Sequence, residues 1–159
     1  MADRSADCGR AEVHVGSVGW EHPQWQGCFY PDELPPEWRL TFYNTAFTCV
    51  YLGYEEWSGR DLQTLASWVE DTLEPFRFVL EGNPAGQSDG DRARLDVLAP
   101  RIGSPGGRIV WLEGELCLKK LAVELQLLAG SPAPIYAISR DQRLEAMNQV
   151  KTLLEIMRV

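Results

Sequence analysis

Residues Val13–Pro36 read VHVGSVGWEHPQWQGCFYPDELPP. A short β-branched run, Val13 to Val18, enters a turn at Gly19 and gives way to a loop holding Trp20, Trp25, Phe29 and Tyr30. Pro23, Pro31, Pro35 and Pro36 stiffen that loop by fixing φ at each position. The apolar run is too short for a helix and reads as a strand over 12–18, of the kind that lies covered in a parallel sheet. A strand followed by a long, rigid, aromatic loop places shaped surface beyond the strand's carboxyl end.

The rest of the chain repeats this alternation. Strands are expected at 49–52, 77–80, 108–112 and 135–138, each separated from the next by an amphipathic helical stretch and by Gly, Pro, Ser or Asp. The second helical stretch carries Leu62, Leu65, Ala66 and Val69 on one face, with Ser58 to Asp61 resembling a capping box and Pro75 as a stop. The fourth has a stripe of Leu118, Leu121, Ala122, Leu125 and Leu128; the last has Leu144, Met147, Leu154 and Met157. These stripes are core faces, not sites. Five β-α units imply an α/β protein with one parallel sheet.

Composition sets the limits. At 159 residues with 45% hydrophobic content, the chain has the size and apolar material of one domain, expected over 11–159 behind a flexible tail at 1–10. Fifteen basic against 23 acidic residues leave a net charge of −8, which repels phosphate backbones and anionic lipid; neither nucleic acid nor membrane is an expected partner. Four cysteines, Cys8, Cys28, Cys49 and Cys117, form no C-x-x-C pair, and the first ten residues carry no apolar core. Reduced thiols and a cytoplasmic location are expected.

In a parallel α/β sheet, functional groups collect where the strands end. Here those positions are mostly acidic: Trp20, Glu21 and His22 after the first strand, Glu56 after the second, Glu81 and Asn83 after the third, Glu113 after the fourth, Arg140 and Asp141 after the fifth. Carboxylates with one imidazole suit a divalent cation such as Mg or Mn, which makes His22, Glu81 and Glu113 the candidate metal ligands. The same acids serve equally well as solvated caps of the following helices. Trp20, Trp25 and Tyr30 have two readings as well: a stacking surface for a small ligand, or a hydrophobic cluster anchoring the loop. Gly82 to Asp91 is a flexible connection able to fold over a ligand, and His14, inside the first strand, reads as a structural group. No nucleophile elbow, H-E-x-x-H pair or P-loop is present.

The opening stretch also resembles a known family. A strand ending in Gly16, Ser17, Gly19 and Trp20, a loop with Trp25, Gly27, Phe29, Tyr30 and Pro31, and a helix ending in Tyr43 and Phe47 are similar to the opening of the DUF72 family, also called UPF0759 or YecE-like. FRFVLEGN (76–83) resembles its third strand, and the segment from Pro134 to Met157 its final strand and helix. The resemblance implies a TIM-barrel-like fold and brings no established activity with it. Two strand ends depart from the family pattern: Val50, Tyr51, Leu52 and Gly53 stand where Val-Glu-x-Asn is usual, and Glu81 stands where a Lys is usual. These changes alter the sign and hydrogen-bonding capacity of the site.

Five units are fewer than the ~250 residues of an ordinary (β/α)8 barrel contain. The reading is therefore a shortened TIM-barrel-like sheet in the order 4-3-2-1-5, with a flavodoxin-like doubly wound sheet as the alternative. Side chains such as Phe78, Leu80, Ile109 and Trp111 would lose their covering layer, and a homodimer burying ~800 Å² per partner would replace it. The expected function is a non-catalytic binding or assembly protein taking a small-molecule ligand. The alternative is a metal-assisted hydrolase or isomerase acting on a small polar or sugar-like substrate through Glu81, Glu113 and His22.

Overall fold

The structure, a computed structural model, describes residues 11–103 and 107–157; the expected tail at 1–10 lies outside them. Five parallel strands of one sheet alternate with helices, as the sequence pattern implies. The strands are β1 (Val13–Val18), β2 (Cys49–Leu52), β3 (Arg77–Leu80), β4 (Arg108–Leu112) and β5 (Ile135–Ser139). The helices are α1 (Arg39–Ala46), α2 (Tyr54–Ser58), α3 (Leu62–Glu70), α4 (Asp89–Leu98), α5 (Leu118–Leu128) and α6 (Leu144–Met157). The chain divides into two compact units, one of Val18–Gly103 and one of the segments on either side of it.

In the flanking unit, β5 is central. It pairs with β1 from Val13↔Ile135 to Ser17↔Ser139 and with β4 from Arg108↔Ile135 to Leu112↔Ser139. All five of its residues are buried, which is why Ile135 to Ile138 read as a continuous apolar strand. The final strand thus lies beside the first, as expected, but β4 pairs with β5 and not at the far end beside β3. β4 and β5 are successive strands joined through α5, and successive parallel strands commonly lie side by side; β3 and β4 are successive too but do not pair. His14 is buried and stacks on Tyr136 with ring centroids 5.2 Å apart, a structural placement. Ala146, Met147, Val150 and Leu154 give α6 its buried face, and Leu121 and Leu125 give α5 its own.

In the Val18–Gly103 unit, β2 pairs with β3 from Cys49↔Arg77 to Leu52↔Leu80. The other edge of β3 is met by Ile102, which bridges Phe78, while the Gly103 N–H donates to the Phe78 carbonyl at 2.9 Å. Phe78 is fully buried, so it needs no outside covering layer. The N-cap of α3 is Asp61, whose carboxylate accepts from the Thr64 N–H at 2.7 Å. Ser58 cannot fill that role because it is the last residue of α2. The helix closes at Glu70, before Pro75 is reached.

Aromatic side chains fill the middle of this unit. Phe76 is wholly buried, 5.2 Å from Phe78 and 6.1 Å from Tyr43 by ring centroids. Phe76→Ala should lower the unfolding free energy by about 3–5 kcal/mol through lost burial and a residual cavity. Leu73, 73% exposed, should change it by no more than about 0.5 kcal/mol when cut to Ala. Urea unfolding of the two variants measures both.

Candidate functional site

The aromatic loop is held by its own backbone before its side chains take part. Gly19 turns the chain at φ +72, a left-handed conformation natural to glycine, and its N–H donates to the Tyr51 carbonyl at 3.0 Å. His22 Nε2 donates to the Val18 carbonyl at 2.7 Å, closing the turn. Trp25 is buried, parallel to Tyr43 with centroids 6.1 Å apart and edge-on to His22 at 4.5 Å. Tyr30 is buried too, and its hydroxyl donates to the Trp20 carbonyl at 2.5 Å. Burial pushes the Tyr30 phenol well above its ordinary value. Of the expected aromatic surface, Trp25 and Tyr30 are therefore anchors inside the unit.

Trp20 differs. It is 6% exposed, meets Trp68 of α3 edge-to-face at 4.9 Å, and lines a cleft of about 580 Å³. Trp38, 59% exposed, lines the same cleft with Glu21, Glu37, Arg60 and Asp71. The sequence reading picked out Trp20 and Glu21 but missed Trp38, Arg60, Trp68 and Asp71. The signal for Trp38 was its place in the Pro-Pro-Glu-Trp turn, where two prolines hold a large apolar ring at the start of a helix.

The acids after β2 and β3 organise chain turns. The Glu81 carboxylate accepts from the Tyr54 N–H at 3.0 Å and from the Tyr51 hydroxyl at 3.4 Å, so it sits at the start of α2. Its carbonyl accepts from the Trp57 indole at 2.9 Å. Asn83 donates to the Tyr54 hydroxyl at 3.1 Å, and that hydroxyl lies 2.9 and 3.0 Å from the two oxygens of buried Asp91. Asp91 also completes a capping box with Ser88 at the head of α4. The Ser88 N–H, ahead of Tyr54 and Asn83, holds the Asp91 carboxyl below its ordinary value against the opposing desolvation. Both ends of the Gly82–Asp91 connection are thus tied to Tyr54. Tyr54 and Asp91 were missed from sequence, although Ser88-x-x-Asp91 before a helix was the available signal. Glu56 is exposed, with its carboxylate 3.8 Å from Arg60 one helical turn on.

In the flanking unit, Glu113 pairs with Arg140 at 2.6 Å, and the Arg140 guanidinium lies 4.1 Å from the Trp111 ring centroid. Asp141 accepts from the Gly114 N–H at 2.9 Å and from the Ser139 hydroxyl at 3.0 Å. The Gly114 N–H is the main influence holding its carboxyl below the ordinary value, with Ser139 and Arg143 adding to it and desolvation opposing. Arg143 closes the loop by donating to the Gly114 carbonyl at 2.5 Å.

Each proposed metal ligand thus has a protein partner: His22 the Val18 carbonyl, Glu81 the α2 backbone, Glu113 the Arg140 guanidinium. Among the described residues, no group of three or more His, Cys, Asp or Glu side chains is placed to hold a metal ion.

Comparison with known proteins agrees with the opening-stretch resemblance. Residues 14–85 match the DUF72 family model, described as a protein of unknown function. No curated protein matches the sequence. Among solved structures, the chain is similar to a DUF72 family protein from Thermotoga maritima, at 12% identity and TM-score 0.60, over 93% of this chain and 100% of that one. A DUF72 family protein from Enterococcus faecalis aligns at 19% identity and TM-score 0.37, over 91% of this chain and 57% of that one. The Thermotoga likeness establishes the fold: the α/β architecture is TIM-barrel-like, as the DUF72 resemblance implies.

The Asp141 bonds carry a pH signature. A carboxyl whose folded value is depressed adds stability above its unfolded value of about 4 and loses it as pH falls through the lower folded value. Asp141→Asn should therefore be less stable than the parent at pH 7, with the gap closing as the pH is lowered below about 4. Urea unfolding of both proteins between these limits measures the convergence; a gap that stays constant would mean that the charge of Asp141 contributes nothing.

Proposed function

We propose that this DUF72-like chain is a non-catalytic binding or assembly protein. The observation that carries the reading is the engagement of the polar groups at the strand ends. Glu81, Asp91, Glu113, Asp141 and His22 each hold a turn, a cap or an ion pair. Acid/base or metal catalysis requires such groups to face substrate with their lone pairs available. In this chain they serve loop geometry first, and the cleft beside Trp20 is a shaped surface available to a ligand.

Self-association belongs to the same reading. Among the described residues β5 is the one strand paired with β4, and an edge with open backbone groups favours pairing with a second copy. Ile109 on β4 and Val123 and Leu127 on α5 are exposed apolar side chains of that unit. We place the protein in the cytoplasm: Cys28 and Cys117 are exposed free thiols, a state kept by reducing compartments. No helix among the described residues is long and apolar enough to cross a membrane. The charge of −8 argues against nucleic acid.

Metal analysis of the purified protein should find no stoichiometric Mg, Mn or Zn, and Glu81→Gln should leave that content unchanged while lowering the thermal midpoint slightly, because the amide oxygen accepts from the Tyr54 N–H without the carboxylate's charge. Stoichiometric metal that disappears in Glu81→Gln would instead favour the metal-assisted hydrolase or isomerase. Light scattering at micromolar concentration should give twice the 17.9 kDa chain mass, and Ile109→Lys should return the single-chain value. A parent protein of single-chain mass would remove the assembly role.

A further inference from the structure

The cleft beside Trp20 also says what kind of ligand it suits, an inference that rests on the binding reading above. Its lining brings three indoles, Trp20, Trp38 and Trp68, together with the carboxylates of Glu21, Glu37 and Asp71 and one guanidinium, Arg60. None of those three carboxylates is in an ion pair among the described residues. The guanidinium is already engaged: Arg60 lies 3.8 Å from the Glu56 carboxylate and donates to the Glu56 carbonyl. The field inside the cleft is therefore negative, and an anionic ligand would enter against it.

A bare metal ion fits poorly, because the carboxylates surround the cleft without gathering into a metal-holding group, as none does among the described residues. The indoles narrow the class further. The face of an indole attracts a positive charge spread over alkyl groups, and a weakly hydrated cation gives up little on leaving water. The cleft displays this preference itself, since the Arg60 guanidinium sits over the Trp68 ring, 5.9 Å from its centroid. Desolvation, followed by the neighbouring Glu70, raises the Asp71 carboxyl above its ordinary value. A cation seated nearby would relieve that strain on the charged form. At about 580 Å³, the volume lies within the range of small-molecule sites.

We propose that the cleft formed by Trp20, Trp38 and Trp68 binds a small organic ammonium ion bearing alkyl groups. The cation rests against the exposed Trp38 ring, with Glu21, Glu37 and Asp71 supplying the countercharge. A neutral sugar would use the rings but leave those three charges without a role.

Calorimetric titration of the full chain with choline and with 3,3-dimethylbutan-1-ol, its uncharged isostere, separates charge from shape. Choline should bind saturably at one site, and the isostere about ten-fold more weakly or worse. Trp38→Ala should weaken choline about ten-fold and Glu37→Gln about three-fold. Both positions are exposed, so unchanged thermal midpoints would show that the variants fold. Equal binding of choline and its isostere, choline binding untouched in Trp38→Ala, or no saturable heat with choline would each overturn the proposal. A third arm uses cellobiose. Trp38-dependent binding of that neutral sugar without choline binding would overturn the cation class and leave the binding reading standing. Stoichiometric metal or turnover of the ligand would overturn the binding reading itself.

Discussion

The burial of Trp25 against Tyr43 is the contact on which the Val18–Gly103 unit depends. Pro23 to Trp25 forms a tight 3-10 turn, and placing the indole parallel to Tyr43 draws the proline-rich loop back over α1. Tyr43 is itself fixed, its hydroxyl donating to the Cys49 carbonyl at 2.6 Å where β2 begins. One stacked pair thus ties the loop, a helix and a strand together. Tyr30 can then reach the Trp20 carbonyl, and Trp20 can meet Trp68. Removing the Trp25 ring would leave a large cavity, and cavities of that kind stay costly because neighbours relax only partly.

The acidic strand ends follow from the same economy of loops. A parallel sheet leaves helix N-termini near the carboxyl ends of its strands, and each N-terminus has unsatisfied N–H groups and a positive partial charge. Asp61 and Asp91 satisfy such groups directly, and Glu81 does so at Tyr54. An acid used in this way is stabilised as its anion, as the lowered values of Asp61 and Asp91 reflect. A general acid or base requires the opposite tuning, toward neutral pH. Where the DUF72 pattern usually has an acid and a Lys, Tyr51 and Glu81 form a hydrogen-bonded pair instead. That pair contributes to holding β2, β3 and α2 in register.

The strands were legible because covered parallel strands are short apolar runs and few other elements look alike. β2, β3 and β4 begin and end at the residues the pattern marks, whereas β1 omits exposed Glu12 and β5 extends to Ser139. Ser139 belongs to the strand because its backbone pairs with Ser17 and Leu112, which a polar side chain conceals. The position of β4 was not legible, since pairing partners depend on crossover geometry and not on the strand's own residues. The aromatic loop shows the same limit at the level of the site. Trp25, Tyr30 and Trp38 are alike in composition and lie in one proline-rich stretch, yet two are core and one faces solvent. Burial there is decided by where α1 and α3 stand, information that local sequence does not hold.

Among the large apolar side chains left exposed in the described residues, Trp38 is the aromatic one. Leaving a large indole in water forgoes the hydrophobic gain that burial would bring, and the backbone that carries it is nevertheless constrained. Pro35 precedes its 3-10 turn, Pro36 opens that turn, and the Trp38 N–H donates to the Pro35 carbonyl at 2.9 Å. From Arg39 the chain continues directly into α1. The backbone carrying the ring is therefore rigid before any ligand arrives, and the entropy of ordering it is lost during folding, not on binding. An aromatic side chain on so constrained a backbone has only its own χ angles left to order when anything packs against it.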